Sequence, residues 1–143
     1  MNDRPAWLIE REIVIEGQTI IYSYDAEGDV LEIIFEQGGG VGLNLTENII
    51  LRYNQKSQKP LSLIFTSFSQ LTKPTPFGPP SFHLAALSEL PPEMQDTVLH
   101  FLTSFPVNCF LRVSGLRLTP DGELQPITYL NQPAEMPFDK VLA

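Results

Sequence analysis

The sequence predicts an α+β fold: an antiparallel β-meander of about five or six strands, two helices packed on one face, and a C-terminal β-hairpin. Three observations predict it. Apolar residues alternate with polar ones from Ile13 to Phe65. The breaks between these runs are only a few residues long, too short for a parallel crossover. Beyond the breaks, apolar residues return at a helical spacing between Met94 and Phe105.

The strands follow in order, with the meander expected over residues 12–66. Glu12, Ile13, Val14 and Ile15 begin it, and Gly17 ends that run. In Thr19–Tyr24, Ile20, Tyr22 and Tyr24 share one face. Asp25-Ala26-Glu27-Gly28 is a turn. In Val30–Glu36, Leu31, Ile33 and Phe35 share a face, while Glu32 and Glu36 lie on the other with Val30 and Ile34. Gly38-Gly39-Gly40 turns the chain again. Val41, Leu43 and Leu45 alternate, then Ile49, Leu51 and Tyr53, then Leu61, Leu63 and Phe65. One side of this sheet is strongly apolar and needs a cover.

The second half supplies it. Residues 72–81 carry Pro74, Pro76, Pro79 and Pro80, a connector without regular structure. Residues 82–105 hold the two helices. Ser81 is placed to cap Phe82–Ser88, and Pro91 and Pro92 suit the first turn of a helix running to about Ser104. Met94, Val98, Phe101, Leu102 and Phe105 form its apolar face, and Pro106 stops it. Residues 109–130 hold the closing strands, Phe110–Leu118 and Ile127–Leu130, around a Pro120-Asp121-Gly122 turn. The tail, residues 131–143, is expected to be poorly ordered. The helical half is near the lower size limit for an independent core, so a single domain over residues 1–143 is expected.

Composition narrows the function. A chain of 143 residues with formal net charge −8 and scattered basic residues is a poor match for a phosphate backbone, so no nucleic acid is expected as partner. No run approaches the roughly 18 apolar residues of a membrane span, and no signal peptide is visible. A cytoplasmic location without membrane attachment is therefore expected. Cys109 is the single cysteine, which excludes an internal disulfide.

Candidate chemistry is sparse. Asp25, Glu27 and Asp29 cluster at one turn. They could form a weak cation site, but their spacing is not a calcium loop, and a hairpin turn with Asp29 accepting backbone N–H bonds explains them first. Gly38-Gly39-Gly40-Val41-Gly42 precedes a strand rather than a helix and has no Lys-Ser or Lys-Thr pair, so it reads as a loop and not a phosphate cradle. His83 and His100 lack partners at metal spacing. Cys109 reads as an inert packed thiol. Phe77, Phe82, Phe101, Phe105 and Phe110 read as core, with a ligand pocket as the alternative. No catalytic residue, metal or cofactor is assigned.

Tyr24-Asp25, then Asp29, Leu31, Ile33 and Phe35, reproduce a Tyr-Asp, turn, Asp-x-Leu-x-Ile-x-Phe pattern. With it, residues 22–69 resemble the YuzE-like family of small bacterial domains of unknown function, and the whole chain looks like an extended cyanobacterial version. The resemblance implies a small β-meander with a helix and no established activity. Where the family carries acids on its fourth strand this chain has Arg52 and Asn54, and in place of Gly-Ile-Glu on the fifth it has Ser62-Leu63-Ile64. The expected role is a non-enzymatic protein-interaction module with a protein partner or self-association. The alternatives are a small-ligand binding protein or enzyme using a Phe-rich pocket, and an antitoxin-like partner of a small basic protein.

Overall fold

The computed structural model describes residues 8–76, 80–116, 121–122 and 125–142. Six strands form the main sheet: β1 Leu8–Ile15, β2 Gln18–Asp25, β3 Val30–Ile34, β4 Val41–Thr46, β5 Ile49–Asn54 and β6 Lys59–Thr66. The sheet is antiparallel throughout, in the order β1-β2-β3-β6-β5-β4. It is two three-stranded meanders laid side by side. The chain leaves β3, passes the ends of two strand positions, and starts the second meander at the far edge.

Local chemistry explains these turns. Glu16 and Gly17 take φ of 50° and 81°, the left-handed pair that a two-residue hairpin needs, and Ile15 pairs directly with Gln18. The crossing from β3 to β4 needs Gly40. A Cβ there would lie 2.3 Å from the Tyr53 carbonyl oxygen and 2.7 Å from Leu61 Cδ1. Arg52 and Asn54 secure the same loop by donating to the carbonyls of Gly38 and Gly39.

The inner face of the sheet carries Ile20, Leu31, Ile49, Leu51, Leu63 and Phe65, all essentially without solvent contact. Its cover comes from several short elements. Helix α1 is Phe68–Leu71, α2 Ala85–Ser88, α3 Pro92–Leu102 and α4 Phe138–Leu142. Val98, Phe101 and Leu102 of α3 and Leu87 of α2 join the inner-face residues in one buried cluster. Aromatic contacts bind the layers: Tyr53 to Phe101 with centroids 5.5 Å apart, and Phe35 to Phe110 at 5.8 Å.

The second half departs from expectation in three places. Phe82–His83 is not the start of a helix but a short strand, β7, paired with Thr128 and Ile127. The free edge of a later strand, Gln125–Leu130, captures this backbone, so helix α2 begins only at Ala85, without a side-chain cap. The long helix stops at Leu102, so Phe105 lies outside it, packed beside the core. Its stop lies ahead of Pro106, whose peptide bond with Phe105 is cis. The closing strands β8 Leu111–Leu116 and β9 Gln125–Leu130 pair antiparallel, with β7 added to make a three-stranded sheet ordered β7-β9-β8. Pro120 of the expected turn lies outside the described residues, as do Phe77 and Pro79 of the connector.

The tail is not loose. Met136 and Val141 are each 1% exposed, and the Phe138 ring meets Phe68 edge-on at 5.2 Å. The Gln132 side-chain carbonyl accepts from the Phe138 N–H, holding the start of α4.

Candidate functional site

The turn cluster does not gather around a common point. Asp25 turns back on its own loop, where Oδ1 accepts from the Gly28 N–H at 2.8 Å. Glu27 is exposed. Asp29 reaches across the fold instead. Its Oδ1 accepts from the Tyr24 hydroxyl at 2.7 Å and from the Ser69 N–H at 2.9 Å, and its Oδ2 accepts from the Ser69 hydroxyl at 2.6 Å. Its carbonyl oxygen accepts from the Phe68 N–H at 3.0 Å. Ser67 provides no side-chain cap for α1, so Asp29 caps that helix from another part of the chain.

Electrostatics follow from this latch. Burial and the bonded Asp29 carboxylate, with Asp25 nearby, push the Tyr24 phenol up to about 12. Burial alone would raise the Asp29 carboxyl, but the bonds from Ser69 and Tyr24 and the charge of Lys73 outweigh it and hold it below its ordinary value. Three protein donors bond the Asp29 carboxylate, so the group acts as a structural acceptor.

The remaining candidates stand apart. His83 is exposed, with Nε2 at 3.1 Å from Gln125 Oε1. His100 is exposed in the last turn of α3. Burial, then the nearby Glu16 and Glu135 carboxylates, push the Cys109 thiol up, which disfavours the nucleophilic thiolate. Among the described residues, no group of three or more His, Cys, Asp or Glu side chains is arranged to hold a metal. Phe101 and Phe110 are buried and fill the space between helices and sheet with ring contacts. A cleft of about 440 Å³ opens at the surface beside Phe35, Phe105 and Pro106, flanked by Glu36 and Lys59.

The feature that periodicity marked but sequence reasoning passed over is the outer face of the sheet. Glu12, Ile21, Ile34, Ser62 and Arg52 align in one row across β1, β2, β3, β6 and β5. Glu10, Ser23, Glu32, Ile64 and Ile50 form the adjacent row. The four isoleucines are half-buried by their neighbours, and among the described residues none belongs to the core cluster or packs against it. Val14 on the same face is 57% exposed. Arg52 lies over this surface, donating to Ser62 Oγ at 3.4 Å and to the Gly38 carbonyl at 3.2 Å. No described helix is long and apolar enough to cross a membrane.

Compared with family models, curated proteins and solved structures, the chain matches none.

Proposed function

We propose that this protein is a non-enzymatic interaction module whose working surface is the outer face of the six-stranded sheet. The observation that carries the reading is the isoleucine quartet Ile21, Ile34, Ile50 and Ile64, contiguous across four central strands and outside the core. A polar face would serve a sheet that ends in water; adjacent β-branched residues there favour a protein surface. The sheet edges are less inviting. The β1 edge carries Glu10, Arg11 and Glu12, and charge on an edge strand discourages pairing. Helix α2 packs beside β4 at the other edge.

The reading is compatible with kinship to the YuzE-like domains, a proposal that rests on Tyr24, Asp25, Asp29, Leu31, Ile33 and Phe35. A ligand-binding role would use the cleft at Phe35 and Phe105; it is the weaker reading, because Lys59 and Glu36 at its rim are exposed side chains rather than anchored polar groups. An antitoxin-like pairing with a basic protein draws on net charge −8 and the acids of the β1–β3 half of the same face.

A photo-crosslinking residue tests the surface. Placed at position 64 of the tagged full chain in its native host, it is expected to give a discrete protein adduct. The same residue at Gln55, in an exposed loop, is expected to give none. Adducts from position 55 alone, or from neither position, would remove the outer face as an interaction surface.

A further inference from the structure

We infer that the occupant of the outer face is a second copy of this chain, docked about a two-fold axis with Arg52 of each copy over the acid-bearing half of the other. The inference rests on the outer face being the interaction surface and adds the identity of the partner. Charge on this face is divided. Glu10, Glu12 and Glu32 lie on β1 and β3, while Arg52, a cation on the same face, lies on β5. The isoleucines occupy the middle, on β2, β3, β6 and β5.

A surface with an apolar centre, acids on one side and a cation on the other is self-complementary under a two-fold rotation. An axis running roughly along the strands turns the β1–β3 half of one copy over the β5–β4 half of the other. The isoleucine centres then meet, and each guanidinium approaches carboxylates of the other copy. Such isologous contacts are the commonest form of soluble homo-oligomer. Among the described residues, Arg52 donates to uncharged oxygens, Ser62 Oγ and the Gly38 carbonyl, and these bonds leave its charge uncompensated. A purely basic partner would match the acids but would be repelled by the arginine at the other side of the same face. Six strands about 4.8 Å apart and about five residues long make a face about 24 by 17 Å before side-chain relief, a substantial share of the roughly 800 Å² per partner of a standard interface.

Sedimentation equilibrium on the full chain between about 1 and 100 μM tests the inference. A dimer is expected. Arg52→Glu is expected to raise its dissociation constant about tenfold or more, since it sets like charges against each other. Adding Glu32→Arg to that variant is expected to restore most of the loss. Because Arg52 also holds Ser62 and the glycine loop, Glu32→Arg alone provides a second arm. Glu32 is half-buried on the open face, and its reversal should weaken the dimer while far-UV circular dichroism stays native.

The outcomes separate the two readings. A dimer unaffected by Ile64→Lys would show association elsewhere and overturn the second copy on this face, and a lack of adducts from position 64 would then overturn the interaction surface as well. A strict monomer over the whole range overturns the second copy; the interaction surface then survives only if crosslinking from position 64 captures a different protein. A dimer lost with Ile64→Lys but indifferent to both charge reversals overturns the two-fold charge register.

Discussion

At position 29 the backbone takes φ of 57°, a region that asparagine and aspartate tolerate better than most residues, while the side chain accepts three hydrogen bonds. The sequence shows an acid at a turn, and that much is legible from residue type. Its partner Ser69 is not, because a contact between residues 40 positions apart has no local signature. Asp29→Asn keeps the backbone conformation and the shape, but an amide has one acceptor oxygen and loses the charge assistance. The expected cost is about 1–3 kcal/mol in urea unfolding near neutral pH. The pH dependence has a definite sign. The folded carboxyl is held below its ordinary value of 3.8, so its stabilisation is present above that value and is lost as pH falls through the folded pKa. The gap between wild type and Asp29→Asn should therefore close on acidification below about 3.8. A gap that is constant with pH would show that the carboxylate charge contributes nothing to the latch.

The strands of the main sheet were readable because period-two alternation is a property of the chain itself: Ile20, Tyr22 and Tyr24, and Leu31, Ile33 and Phe35, each bury one face. Elements without a period of their own were not. Helix α1 has four residues and β7 has two, and both are set by distant partners, Asp29 for one and β9 for the other. Strand order was hidden for a related reason. The loop from β3 to β4 is short, yet it crosses two strand ends, which only the close approach of Gly40 to Tyr53 and Leu61 makes workable. The C-terminal segment was hidden by its polarity. Between Asn131 and Asp139 only Met136 and Phe138 are large apolar residues, but Met136 and Val141 are buried and Phe138 packs on Phe68. Deleting residues 134–143 is accordingly expected to destabilise the protein by about 3 kcal/mol or more, from two fully buried side chains at about 1.5–3 kcal/mol each. Thermal unfolding followed by circular dichroism checks it; an unchanged midpoint would mean that α4 does not hold α1 in place.

At the scale of the molecule, the two halves divide the labour of burying one sheet face, while the isoleucines of the other stay outside the buried cluster among the described residues. The inner face contributes Leu51 and Phe65, and the cover contributes Phe101, Phe110 and Val141; all five belong to one buried cluster. Neither half is expected to close a core by itself, since an uncovered inner face would expose a continuous apolar layer, and the helical half is near the lower size limit for independent folding. Residues Lys73 to Pro76, within the proline-rich connector, are exposed and offer a protease a place to cut. Cleavage there under native conditions should leave the two fragments associated through gel filtration, with the native circular dichroism spectrum retained. Separation of the fragments in mild denaturant should unfold both together, because the layer that each one buries is supplied by the other. Two fragments that separate and keep their own cooperative transitions would show two cores, and the assignment of residues 8–142 to one folding unit would fail.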